Sequence, residues 1–182
     1  MKLMLTIIIC LFPISSNAAQ MTLKQYATNP FGNILFIRHA LAPGFGDPSN
    51  FDIKKCKTQR NLNSEGRKQA NAIGKLIRES GIKFDKIYSS EWCRCAETAR
   101  LLKLGAITPY FGLNSFFQNL VPKEKALRSL NKLLKKLKKN NETAIMVTHY
   151  VTINAITGLT IESGGAVAFD IETGQSKRII YQ

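Results

Sequence analysis

A chain of 182 residues with 45% hydrophobic and 21% charged side chains can bury one core of ordinary size, which excludes a disordered or low-complexity protein. Its formal charge is +14, from 26 Lys and Arg against 12 Asp and Glu, an excess that attracts anionic partners at a distance without naming one. Only two histidines are present, His39 and His149, so any chemistry that needs imidazole must use them.

Residues 1–18 read as a secretory leader. Lys2 opens it, residues 3–14 are almost wholly apolar, and Ser16-Asn17-Ala18 offers small residues for cleavage after Ala18. The apolar stretch is too short to span a bilayer comfortably, so residues 19–182 are expected as one exported domain with no stable membrane insertion, periplasmic or secreted. Cys10 inside the apolar run, behind bulky Ile9, makes a poor lipoprotein site.

Ile34-Leu35-Phe36-Ile37-Arg38-His39-Ala40 is short, apolar and β-branched, the pattern of a strand buried on both faces. A Gly/Pro-rich loop follows over residues 42–57, a natural border for an active site. The spacing predicts a helix from residue 64, capped by Asn63 or Ser64, with Ala70, Ile73, Leu76 and Ile77 on one side and Gly81 beyond its end. A strand is expected over residues 84–89 and a helix over residues 91–104, with Ala96, Ala99 and Leu102 inward. Residues 108–119 read as a short strand and a loop with three phenylalanines.

Residues 123–139 form the most amphipathic stretch. Leu127, Leu130, Leu133, Leu134 and Leu137 repeat at helical spacing and lysines fill the rest. This reads as a solvated outer face, and without interleaved aromatics or a recognised motif it gives no ground for nucleic-acid binding. A strand over residues 143–148 ends at His149, a helix runs over residues 151–159, and a hairpin closes the chain at residues 166–171 and 176–181. Strand and helix alternate, so the fold class is α/β, a single domain with a mainly parallel sheet covered by helices on both faces.

Beyond the leader remain Cys56, Cys93 and Cys95. In an exported chain this suggests one disulfide and one free thiol. Cys93 and Cys95 lie too close for easy mutual pairing, so Cys56 pairs with one of them. Cys93 is slightly favoured, because Cys95 falls where a helix turns inward. The cysteine spacing lacks the paired ligands of a usual zinc site.

Ligands of open α/β sheets bind beyond the carboxyl ends of the strands, which brings both histidines to one crevice. Arg38 precedes His39. Arg94 falls in the first turn of a helix behind a strand, where backbone donors and the helix dipole favour an anion. An imidazole among guanidinium groups stays neutral and nucleophilic at neutral or mildly acid pH. Ser89 and Ser90 read as a strand-end turn and a cap, not nucleophiles.

On these residues the chain resembles the histidine phosphatase superfamily, the group of phosphoglycerate mutases and acid phosphatases. Arg38-His39-Ala40 stands for the family's Arg-His-Gly. Arg60-Asn61-Leu62, Gly66, Gln69-Ala70, Ser89-Ser90, Arg94 with Glu97-Thr98-Ala99, and Thr148-His149 follow in the family's order. The resemblance implies a phosphoglycerate mutase-like fold and attack by His39 on phosphorus. Arg38, Arg94 and His149 would hold the phosphoryl oxygens, with Arg60 as a further substrate contact or a structural pair. It implies no metal and no cofactor.

Two departures stand out. Ala40 replaces glycine, which fits if the backbone there is not left-handed. Ser115 stands where the mutase branch has its proton-donating glutamate. Asp47 is the best substitute donor and otherwise a turn-forming residue before Pro48; Glu97 more naturally anchors an arginine. The expected function is an exported, metal-independent phosphatase of small phosphomonoesters, with envelope sugar phosphates among them. The alternatives are a protein phosphohistidine phosphatase and a non-catalytic phosphate-binding envelope module.

Overall fold

The computed structural model describes residues 19–182; the expected leader, residues 1–18, and Cys10 lie outside the described residues. Seven strands form one sheet in the order β1-β7-β6-β2-β5-β3-β4. They are β1 (Gln20–Thr22), β2 (Ile34–Arg38), β3 (Lys86–Ser89), β4 (Ile107–Pro109), β5 (Ala144–Thr148), β6 (Ala166–Phe169) and β7 (Ser176–Ile180). β2, β5, β3 and β4 run parallel. β6 is antiparallel to β2 and β7, which makes the closing hairpin. The expected single α/β domain with a mainly parallel sheet is what the chain builds.

Five helices cover the sheet: α1 (Leu23–Thr28), α2 (Ser64–Glu79), α3 (Cys93–Leu102), α4 (Lys123–Asn140) and α5 (Tyr150–Thr157). On one face Ile73 and Ile77 of α2 and Cys95, Ala99 and Leu102 of α3 pack on Leu35, Ile37, Ile145 and Val147. On the other, Leu130, Leu133, Leu134 and Leu137 of α4 pack on Ile34, Phe36, Ala144 and Met146. Alternate residues of the same strands therefore feed two cores, which is why those strands are apolar throughout. The lysines of α4 lie outward, as its periodicity predicts. Among the described residues no helix is long and apolar enough to cross a membrane.

Three local readings change. β1 and α1 are additional elements; Thr22 and Gln25 cap α1 reciprocally. α3 begins at Cys93 because Trp92 is still extended, at φ −62° and ψ 135°. Ala96, expected inward, is then only half-buried, while Cys95 is fully buried as its inward position predicts.

Cys56 and Cys93 form the disulfide, 37 residues apart, and Cys95 is a buried free thiol. The bond ties the long loop after β2 to the start of α3. Closing a loop of that length restricts the unfolded chain by about 3–4 kcal/mol. Replacing both cysteines by serine is expected to lower the urea midpoint accordingly; an unchanged midpoint would show that the bond does not form.

Candidate active site

Parallel pairing sets Arg38 of β2 opposite Thr148 of β5, so the next residue on each strand, His39 and His149, emerges at the same sheet edge. Their ring centroids are 5.4 Å apart and both are buried. Arg94, from the first turn of α3, lies between them. Its Nε donates to His39 Nε2 at 3.3 Å and its guanidinium reaches His149 Nδ1 at 3.5 Å. The side chains that the sequence predicts to meet do meet.

His39 Nδ1 lies 2.8 Å from the carbonyl of Ala40. That carbonyl can only accept, so Nδ1 carries the proton and Nε2 presents its lone pair to the crevice. Burial, then the Arg94 charge, push His39 down to about 3. His149 is held well below its ordinary value by burial, Arg94 and His39. Both rings are neutral at physiological pH. Ala40 keeps a backbone outside the left-handed region, and its N–H donates to Thr98 Oγ1 at 3.0 Å, so the alanine fits where the family has glycine.

These shifts fix a pH dependence. Above the ordinary histidine value of 6.5 neither state binds the extra proton. As pH falls from there toward 3, the unfolded chain takes up protons that the folded rings refuse. Stability therefore drops, at a limit of about 1.4 kcal/mol per pH unit for each histidine. Urea unfolding at pH 7 and pH 4.5 is expected to show the loss, with a shallower slope in His149→Ala. Equal stability at both pH values would contradict the burial of neutral rings.

Asp47 binds Arg94 through both carboxylate oxygens, at 2.8 and 3.0 Å, and both side chains are 3% exposed. It also accepts from Trp92 Nε1 at 3.1 Å and from the Arg60 N–H at 3.0 Å. Burial alone would raise this carboxyl, but the hydrogen bonds from Arg94 and the Arg60 backbone outweigh it, and the group sits below its usual range. A carboxyl held in this way has no proton to give at neutral pH. In the structure Asp47 has the geometry of an anchor for Arg94, with both carboxylate oxygens taken by donors.

Arg60 lies beside the cradle, with Nε donating to the Gly46 carbonyl at 2.8 Å and Nη1 to that of Ala42. It fixes the loop after β2 and adds positive charge next to His39. Arg38 donates from Nη1 to the Ile161 carbonyl at 2.8 Å and lies over the Tyr150 ring, 5.3 Å from its centroid. Arg38 Nε is buried without a hydrogen-bond partner. Three guanidinium groups thus converge where one carboxylate, Asp47, answers them.

Other residues have structural tasks. Ser90 Oγ lies 3.0 Å from His149 Nε2, donates to Asn114 Oδ1 and accepts from the Trp92 N–H. Ser115 Oγ accepts from the Phe117 N–H in a turn. Glu97 pairs with Arg67 at 2.7 Å. Cys95 Sγ lies 3.4 Å from His149 Nε2, and burial pushes the thiol up to about 12, which leaves it protonated. Trp92 and Asn114, central to this network, carried no sequence signal, since their partners are distant in the chain.

The histidine phosphatase superfamily (branch 1) model matches residues 34–110, a stretch that holds Arg38, His39, Asp47, Arg60 and Arg94. The mitochondrial serine/threonine-protein phosphatase Pgam5 of Drosophila virilis is 30% identical over 90 residues, 50% of this chain. The chain matches only 28% of that relative's length. Among solved structures, the alpha-ribazole phosphatase of Shigella flexneri superposes with a TM-score of 0.55 at 14% identity, over 81% of this chain and 95% of that one. The protein histidine phosphatase SixA in complex with tungstate gives 0.54 at 13% identity, over 80% and 92%. At such identities the structures establish the fold alone, which is phosphoglycerate mutase-like. The match of the family model covers the segment that builds most of the cradle, and over residues 34–110 the chain is similar to the histidine phosphatase superfamily.

Proposed function

We propose that this protein is an exported phosphatase that hydrolyses small phosphomonoesters, envelope sugar phosphates among them, through a phosphohistidine on His39. The observation that carries the reading is the unprotonated Nε2 of His39 among three guanidinium groups, its lone pair held only by a long 3.3 Å hydrogen bond from Arg94 Nε that an incoming phosphoryl group can take over, with Nδ1–H tied to Ala40. The lone pair attacks phosphorus, the N–P bond forms and the ester P–O bond breaks. Arg38, Arg94 and His149 hold the phosphoryl oxygens, and the unmet donor at Arg38 Nε gains an acceptor there. Water then attacks phosphorus, the N–P bond breaks, and phosphate and the free imidazole return.

No carboxylic acid of the cradle is free to protonate the leaving oxygen, because Asp47 is held as carboxylate and Ser115 replaces the glutamate of the mutase branch. A phosphomonoester supplies this proton itself when bound as the monoanion, whose second ionisation lies near 6. Export rests on the leader read in residues 1–18 and is supported by the Cys56–Cys93 bond, of a kind that persists in oxidising compartments. The missing acid also favours a second reading, removal of phosphate from protein phosphohistidine, whose imidazole leaves readily.

Metal independence follows from this scheme, since the cradle's own cations carry the charge stabilisation. Purified protein in excess EDTA is expected to release p-nitrophenol from p-nitrophenyl phosphate at mildly acid pH. A protein that binds phosphate yet releases no product from this or any phosphorylated metabolite would be a binding module, and the proposal would fall.

A further inference from the structure

Beyond the cradle the structure builds an aromatic rim that phosphoryl transfer does not explain. The Tyr150 ring under Arg38 is 6.1 Å from that of Phe117, which Phe45 meets edge-on at 5.1 Å. Phe45 is 87% exposed. A fold normally recovers the cost of an exposed phenyl ring by burying it, and exposed apolar surface beside a polar pocket marks a contact for something else.

The loop holds this ring outward by construction. Gly44 and Gly46 flank it at φ +94° and +68°, left-handed conformations that glycine adopts freely. A Cβ at Gly46 would lie 2.7 Å from the Gln118 side chain. Gln118 accepts from the Asp47 N–H at 2.7 Å and donates to the Asp47 carbonyl at 3.3 Å. Arg60 grips the Gly46 carbonyl. Phe45 is thereby fixed beside two residues that also shape the cradle, Asp47 and Arg60.

We propose that the exposed ring of Phe45, braced edge-on by Phe117 with Tyr150 behind it, forms a stacking subsite for the ring of a phosphorylated carbohydrate, so that the site selects sugar phosphates over open-chain phosphomonoesters. This rests on the phosphatase reading and deepens it. One face of a sugar ring is a patch of C–H groups whose slightly positive hydrogens suit the negative face of an aromatic ring, while its hydroxyl groups stay in water. An open-chain alcohol has no such face. Gln118, the polar side chain of the rim segment, spends both amide atoms on the Asp47 backbone. The two phenyl rings of the rim accordingly offer no free hydrogen-bonding group, which suits a C–H face rather than the hydrogen-bonding edge of a nucleobase.

The test compares a hexose 6-phosphate with glycerol 1-phosphate, both esters of a primary alcohol. Wild-type kcat/KM is expected to favour the hexose ester about tenfold. Phe45→Ala and Phe117→Ala bring the ratio close to one, chiefly through the KM of the hexose ester. Phe45→Trp keeps the preference, and Phe45→Leu loses it, because leucine is apolar but has no π face. A wild-type ratio near one, a ratio that survives Phe45→Ala or Phe45→Leu, or a stronger preference for a 5′-nucleoside monophosphate overturns the subsite. If wild-type protein hydrolyses neither ester nor p-nitrophenyl phosphate, the phosphatase reading itself has failed, and that outcome is separately recognisable.

Discussion

His39→Ala is expected to lower turnover of p-nitrophenyl phosphate by about 10⁴-fold or more. The route through a covalent intermediate requires a nitrogen lone pair at this position, and His149, with its Nε2 turned toward Ser90 and Cys95, does not replace it. What remains is attack of water on an ester held by arginines, which retains charge stabilisation but not nucleophilic catalysis. The folded ring is neutral, with a pKa of about 3, so its removal alters no charge in the cradle. The variant is therefore expected to bind tungstate or phosphate within about tenfold of wild type. Rapid quenching with a 32P-labelled substrate checks the chemistry directly. Wild type carries an acid-labile label on protein, and His39→Ala carries none. Comparable turnover in the two proteins would reject the assignment of the nucleophile.

Much of this site was legible because its main parts sit at the ends of strongly patterned elements. β2 and β5 are short apolar runs, and their parallel register puts Arg38 beside Thr148; two histidines that each end such a run must share an edge. The helix α2 announces itself by the Asn63 cap, whose Oδ1 accepts from the Gly66 N–H at 2.8 Å, and by its apolar stripe. β1 and α1 were illegible for the opposite reason: three and six residues are too few to show a period. The start of α3 is not legible in the sequence because a tertiary contact decides it. Trp92 stays extended with its indole bound to Asp47, 45 residues earlier, and no local pattern encodes that.

Asp47 is illegible in the sequence for the same physical reason. Beside Pro48 it has the local signature of a turn, and in a crevice beyond a strand it has the profile of an acid. Its actual partner, Arg94, comes from a helix 47 positions on. Long-range ion pairs leave no periodicity or spacing, so only the folded chain distinguishes a donor from an anchor.

Asp47→Asn separates these roles by experiment. Loss of the carboxylate leaves Arg94 buried beside Arg38 and Arg60 without a compensating charge, and breaking a buried pair on one side costs about 3 kcal/mol or more. The variant is expected to unfold at correspondingly lower urea. The wild-type contribution is present above the ordinary carboxyl range and lost as pH falls through the lower folded value of Asp47, so the gap between the two proteins narrows in acid. Catalysis suffers because the guanidinium that bridges His39 and His149 is no longer aimed, and kcat/KM is expected to fall about 10²-fold. The leaving group makes the distinction. A lost proton donor would slow hydrolysis of an alkyl ester such as glycerol 1-phosphate and spare p-nitrophenyl phosphate, whose leaving group departs without a proton. A lost anchor slows both alike, because orientation of the phosphoryl group is common to them. Equal losses on the two substrates are the expected result, and a loss confined to the alkyl ester would return Asp47 to the role of acid.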